Sequence, residues 1–280
     1  MPVPAALSCL VRRVVKDRRD DTASSCTITY IRQGFHACQD AGGQPHQRCS
    51  LRVCPVSIPR KEPHMKTLDR LLLACGLLIP CWLLLGVGLT ALAYPGYDHL
   101  QQAMSQLGAV GAPTHSWSPW VNNLPLAVLF ALFAWGLARR WRQSKLAQLS
   151  ALLVLLHGVG SLGTGWFACD QSCAPITPSF SQQMHNLSGL LMFLSLTLAS
   201  VLWIWLGKRQ ARSRALAGWS LLCSVLAVIT VVLMAQAAQN GQLFGLYQRL
   251  NYGVSVLWVA TLAWSSLRTV HHNPLRMAIA

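Results

Sequence analysis

Acidic residues are nearly missing from most of this 280-residue chain: from position 65 onward the acids are Asp69, Asp98 and Asp170, and no glutamate follows Glu62. Charged residues of both signs make up 11% of the whole, against about a quarter in soluble globular domains. A fold with an ordinary water-facing surface is therefore excluded, and the 53% hydrophobic content points to lipid as the main solvent. Also missing are a CxxC pair among Cys9, Cys26, Cys38, Cys49 and Cys54, a GxSxG nucleophile elbow, and an HxxxH pair in the last apolar run. These absences argue against a zinc finger and an α/β-hydrolase elbow, and they leave zinc at most a possibility, so no cofactor is expected.

Residues 1–64 carry ten Lys or Arg, five acids and no sustained apolar period. Ala5 to Leu10 is too short an apolar stretch for a secretory signal before Arg12 and Arg13 interrupt it. The segment reads as an extension outside the fold, either disordered or upstream of a native start at Met65, and residues 271–280 read as a cytoplasmic tail.

What the rest of the chain does contain is a series of long apolar runs. Each is near the 20 residues a membrane-crossing helix needs, because its backbone must hydrogen-bond internally where water is absent. Six are expected, at about 71–94, 121–138, 146–168, 186–207, 215–237 and 250–267, making residues 65–270 an all-α six-helix membrane bundle. Lys66 and Arg70, then Arg139, Arg140, Arg142 and Lys145, then Lys208, Arg209, Arg212 and Arg214, then Arg268 and Arg276 fall in alternate connections, and Arg249 is the lone exception. By the positive-inside rule both ends of the core are cytoplasmic, in the cytoplasmic (inner) membrane. Basic residues dispersed this way are topology signals and not a nucleic-acid patch. Trp117, Trp120 and Trp166 on the outer side, and Trp141, Trp203 and Trp205 on the inner side, are expected at the interfaces.

Gly158-Val159-Gly160-Ser161-Leu162-Gly163 matches GxGxxG, yet it lies inside an apolar run and not between a strand and a soluble helix. Close helix packing explains it better than dinucleotide binding. His157, in the same run, is ionisable at bilayer depth, so it either serves a function or is a neutral ring bonded to a neighbouring helix. It is the one deep histidine of the core, which disfavours bis-histidine haem. Cys169 and Cys173 are a disulfide candidate that would pin Asp170.

The remaining polar residues gather on the outer side: the connection from Tyr94 to Pro113 with Asp98, His99 and Ser105, then Asp170, Ser179, His185 and Asn186, then Tyr247, Gln248 and Arg249. The runs Tyr-Pro-Gly-Tyr-Asp-His and Ser-Gln-Leu-Gly-Ala-Val-Gly-Ala-Pro, the Cys-Asp-Gln-Ser-Cys loop followed by His185, and Leu246-Tyr247-Gln248-Arg249 together resemble the multi-pass membrane family called domain of unknown function 998 (DUF998). The resemblance covers about residues 68–268 and implies a six-helix membrane bundle, with no reaction attached. A looser similarity is to transmembrane hydrolases related to alkaline ceramidases, in which Ser105, Asp170, His157 and His185 would play the catalytic parts.

Two function classes stay open at this level. In the first, the protein binds a lipid, amphiphile or other small molecule, or acts as an envelope membrane component, with Asp98, His99, His157 and Arg249 in a polar cluster. In the second it is an interfacial hydrolase: Ser105 is the nucleophile, His185 the base, Asp170 its orienting carboxylate, and Arg249 holds an anionic headgroup. Protein partners are not legible.

Overall fold

The computed structural model describes residues 65–268, so the N-terminal extension with its cysteines and the C-terminal tail lie outside the described residues. Seven α-helices follow in order: α1 Thr67–Leu92, the short α2 Ser118–Val121, α3 Asn123–Arg140, α4 Lys145–Trp166, α5 Phe180–Arg209, α6 Arg214–Asn240 and α7 Phe244–Arg268. Two 3-10 turns, Met104–Gly108 and Gln171–Cys173, lie in the connections. Helix starts follow from local chemistry: Ser144, Ser179 and Ser213 each accept a backbone N–H three residues on, capping α4, α5 and α6. Gly241 ends α6 with φ +69°, a left-handed conformation that glycine adopts without penalty.

The six long helices close into a ring. Each of α1, α3, α4, α5, α6 and α7 packs on the next, and α7 returns to α1. At one end Arg139 Nε lies 2.6 Å from Asp69 Oδ1, and Arg140 Nε donates to Ser266 O over 3.2 Å, joining α1, α3 and α7. At the other end Val110 N donates to Cys169 O (2.9 Å) and Leu246 N to Leu100 O (2.9 Å), joining the long 93–117 connection to the α4–α5 connection and to the first turn of α7.

Five segments are long and apolar enough to cross a membrane: Thr67–Leu92, Ser118–Arg140, Lys145–Trp166, Phe180–Arg209 and Arg214–Asn240. The protein is thus a multi-pass membrane protein, all-helical over the described residues. Of the six expected spans, the last is not among these five by composition. Helix α7 has 25 residues, length enough, but Gln248, Arg249, Asn251, Ser255, Ser265 and Ser266 dilute its apolar character.

Several expected boundaries shift. Helix α5 begins at Phe180, so His185 sits in its second turn and not in a connection, because Ser179 caps the helix earlier than the apolar run begins. Likewise Tyr247, Gln248 and Arg249 belong to α7. The interfacial placement of Trp141 and Trp203 is also corrected. Both are buried, and their rings meet edge-on at 5.8 Å. Trp203 Nε1 donates to Ser150 Oγ at 2.8 Å, and Trp258 Nε1 to Ser220 Oγ at 3.0 Å. A small hydroxyl on the facing helix gives each buried indole N–H its partner, which lets the large ring enter the core.

The α4 glycines serve packing on two faces. A Cβ on Gly158 would lie 3.1 Å from Ala127 O, and one on Gly165 2.7 Å from Asn123 Cβ, so these two receive α3. A Cβ on Gly160 would lie 2.6 Å from Met192 Cγ, and one on Gly163 would collide with Ser188 Oγ, so these two receive α5. Helix α4 is wedged between its neighbours by backbone-to-side-chain contact.

Candidate functional site

The ring encloses a chamber of about 220 Å³ toward the end that carries the long 93–117 connection. Its wall combines two chemistries. Leu83, Val87, Leu126, Phe193, Val231 and Met234 supply an apolar part, while Asn122, Asn123, Ser161, Gln248, Asn251 and Tyr252 supply hydrogen-bonding groups. No Asp, Glu, Lys or Arg contributes to the wall among the described residues. Such a chamber suits an uncharged polar group attached to an apolar body, since a buried net charge without a counter-charge is costly.

The roof is the 3-10 turn bearing Met104 and Ser105. Met104 N donates to Gln248 Oε1 (2.6 Å), tying the turn to α7. Thr114 Oγ1 donates to Leu107 O, and His115 Nδ1 donates to Gly108 O at 2.8 Å, folding the connection back on itself. Leu107 is fully buried beneath it. Arg249 secures the same connection from α7: Nη1 donates to Gln102 O and Gly245 O, both at 2.9 Å, and Nη2 to Tyr97 Oη at 2.7 Å. Burial pushes the Tyr97 phenol upward, an effect the neighbouring Arg249 charge partly offsets. Arg249 therefore clamps a loop, and it is not among the chamber-lining residues. Asp98 Oδ1 accepts from Leu100 N and Gln101 N, shaping the turn of that loop, and His99 stacks edge-on against Tyr97.

His157 lines the chamber at depth with both ring nitrogens engaged. Nδ1 lies 2.9 Å from Met192 O and Nε2 3.1 Å from Tyr252 Oη. A carbonyl can only accept, so Nδ1 carries the proton and Nε2 accepts from the phenol, a neutral tautomer fixed by α5 and α7. His185 also lines the chamber, and its Nδ1 donates to Phe167 O at 2.8 Å, so that in the neutral ring Nε2 carries the lone pair.

The structure brings Ser105 and His185 to one chamber and holds Asp170 elsewhere. Asp170 Oδ1 accepts from Ser179 Oγ (2.6 Å) and Oδ2 from Ser179 N (2.9 Å), and Asp170 N donates to Gln182 Oε1 (2.8 Å). The two bonds from Ser179, its hydroxyl first and its backbone N–H second, hold the carboxyl below its ordinary range. The partner of His185 Nδ1 is a carbonyl and not this carboxylate. Cys169 and Cys173 are joined as a disulfide around Asp170, with Cα atoms 5.0 Å apart. Among the described residues no group of three His, Cys, Asp or Glu could hold a metal ion.

Asn122, Asn123, Asn251 and Tyr252 were not singled out from the sequence, although they form much of the polar wall. The available signal was two polar pairs, Asn122-Asn123 and Asn251-Tyr252, at or inside runs where such side chains are expensive. Asn123 Nδ2 donates to Ser161 O and Thr164 Oγ1, and Asn251 Nδ2 to Ala227 O and Thr230 Oγ1, so each fastens two helices beside the chamber.

The family model described as a protein of unknown function, DUF998, matches residues 77–265. No curated protein and no solved structure matches the chain, and the resemblance to alkaline-ceramidase-related hydrolases gains no support from either.

Proposed function

The chain belongs to the DUF998 family, and from that premise we propose that it binds an uncharged amphiphile, a lipid or small molecule whose polar group enters the chamber beneath Ser105. The carrying observation is the wall itself, which combines apolar side chains with hydrogen-bonding groups and includes no Asp, Glu, Lys or Arg among the described residues. Asn123, Gln248 and Asn251 would orient the head, and the apolar side would take the chain. The test uses the full-length protein in detergent with monoacylglycerol, fatty acid and lysophosphatidylcholine as probes. Saturable stabilisation by monoacylglycerol, weakened by Asn251→Leu but not by the zwitterionic or anionic competitors, supports the reading. Equal response to all three probes sinks it.

A second reading, an interfacial hydrolase of neutral esters, is favoured by one observation: Ser105 and His185 line the same chamber, and a carbonyl orients the His185 ring. His185 Nε2 would take the Ser105 proton as the hydroxyl attacks the ester carbonyl. The C–O bond of the ester breaks, the departing alcohol takes that proton from His185, and the acyl-serine left behind is hydrolysed by water to the free acid and the serine hydroxyl. Asp170 would act on this site only through the loop it holds. Fatty-acid release from monoacylglycerol that disappears in Ser105→Ala and His185→Ala, with binding retained, distinguishes this reading from simple binding.

The same proposal has six crossings with both core ends cytoplasmic, in the inner membrane of the envelope. Its support is that α7, at 25 residues, is nearly as long as its neighbours, follows α6 after a three-residue turn and closes the ring on α1, while the basic residues collect at one end. Cysteines introduced at Val110 and Gln210 should label from opposite sides of the membrane; labelling from the same side overturns the topology.

A further inference from the structure

The end of the bundle opposite the chamber carries a motif repeated three times. Trp135 and Arg139 end α3, Trp205 and Arg209 end α5, and Trp264 and Arg268 end α7, always four residues apart. In each pair the guanidinium stands over the indole, at 5.9, 5.0 and 3.9 Å from the ring centroid respectively. The three tryptophans are about half exposed, at 51%, 45% and 48%, on helices that face lipid. In the ring, α3, α5 and α7 occupy alternate positions. Each pair thus marks one of three corners, and further cations follow in the chain after the first two, Arg142 and Lys145 after α3 and Arg212 and Arg214 after α5, while Lys66 and Arg70 stand at the start of α1, which packs on both α3 and α7. Eleven of the twelve Lys and Arg between residues 65 and 268 are at this end, with Asp69 the one acid there.

We propose that these three corners are binding sites for anionic phospholipid, one molecule to each Trp–Arg pair. The chemistry selects the occupant. An arginine stacked on an indole uses its π face for the ring and keeps its N–H edge for two parallel bonds to a phosphate. The indole lies at the depth of the glycerol and ester groups, where an aromatic ring prefers to sit. A soluble anion would use the cations and gain nothing from the exposed indole, whereas a phospholipid covers both. Asp69 takes Arg139 at 2.6 Å, so the α3 corner is the weakest of the three, and the α5 and α7 corners dominate. This site is independent of the chamber and of whether the chamber binds or hydrolyses.

The experiment is native mass spectrometry of the full chain in detergent with added phosphatidylglycerol or phosphatidylcholine. Phosphatidylglycerol should be retained as up to three molecules per chain and phosphatidylcholine should not. Arg209→Gln and Arg268→Gln should each weaken retention of one molecule about five-fold, as one lost cation near an anionic headgroup implies. Trp205→Leu and Trp264→Leu, which leave every charge in place, should also weaken it, while Arg139→Gln has the smallest effect. Equal retention of the two lipids overturns the proposal. So does full retention in the Trp→Leu variants, which would mean diffuse charge attraction without a site. Unfolding temperatures in lipid-free detergent check that the variants fold; if a Gln variant fails, Arg209→Lys and Arg268→Lys keep the charge and should show intermediate retention.

Discussion

Asp170 grips Ser179 at two points, Oδ1 to the hydroxyl at 2.6 Å and Oδ2 to the backbone N–H at 2.9 Å, and Ser179 in turn caps α5 through Gln182 N at 3.1 Å. A carboxylate placed before a helix start also meets the positive end of the helix dipole. Because the folded-state pKa lies below the ordinary 3.8, the stability that this grip contributes is present above that value and is lost as pH falls through the lower, folded-state value. Lowering the pH from neutral to well below 3.8 should therefore loosen the start of α5 in the wild type, and Asp170→Asn should already be loose at neutral pH with a flatter acid profile. Hydrogen exchange of residues 179–183 reads the effect. An identical acid profile in the two proteins would show that the grip contributes nothing.

Arg249 donates to three oxygens contributed by the 97–102 loop and by α7 itself. No acidic side chain pairs with it among the described residues, so its charge is spread over carbonyl and phenol dipoles. Arg249→Gln should cost about 2–4 kcal/mol, and Tyr97→Phe about 1 kcal/mol, since hydrogen bonds to a charged group are the stronger class. The double variant should cost less than the sum, because one bond is shared. Limited proteolysis between residues 95 and 105 should quicken in Arg249→Gln at native temperature. Unchanged cleavage would mean that the loop holds its place without the clamp.

Most of the bundle is legible in the sequence because lipid imposes it: apolar runs of fixed minimum length and basic residues in alternate connections. The glycine run of α4 is legible too, since its spacing inside an apolar run rules out a phosphate loop. What escapes is where helices start in polar sequence. Arg249 and His185 read as connection residues because no apolar run surrounds them, yet Ser179 and the carbonyls of Leu100 and Gln101 supply the terminal hydrogen bonds that extend α5 and α7 into that region. The chamber escapes for a different reason. Ser105, His157, Asn123 and Asn251 come from four separate segments, and only ring closure of α7 on α1 brings them around one space. Nothing in local spacing foretells that Asp170 binds Ser179 while His185 binds a carbonyl.

The Tyr252 hydroxyl donates a hydrogen bond to His157 Nε2, and the two rings stack at 5.5 Å with an angle of 21°. Tyr252→Phe keeps the ring and removes the donor, leaving a buried imidazole nitrogen without a partner. The expected cost is about 1–3 kcal/mol. His157→Phe leaves the phenol in the same difficulty and should cost a similar amount, whereas the double replacement by Phe removes both polar ends and should recover part of the loss. Unfolding in mixed detergent measures all three. Strict additivity of the two single costs would mean that the 3.1 Å contact carries no coupling.

A methyl group at Gly163 would collide with Ser188 Oγ, which must rotate away, and would stand 3.0 Å from Ser188 Cβ, which cannot. Gly163→Ala should therefore separate α4 from α5 locally and cost about 1–3 kcal/mol, the usual range for overpacking a tight interface. The chamber feels this, because Ser161, Thr164, Gly189 and Met192 on the same two helices belong to its wall. Ser188→Gly should relieve the clash in the double variant by removing both the hydroxyl oxygen and the Cβ that the new methyl would meet. Gly218→Ala supplies the contrast. Nothing lies within 4 Å of a Cβ there, so alanine should be neutral or stabilising by up to about 1 kcal/mol through helix propensity alone. The pair of measurements separates a packing requirement from a general preference for alanine: if Gly163→Ala behaves like Gly218→Ala, the Ser188 side chain yields to the methyl group and Gly163 is not required for the packing of α4 on α5.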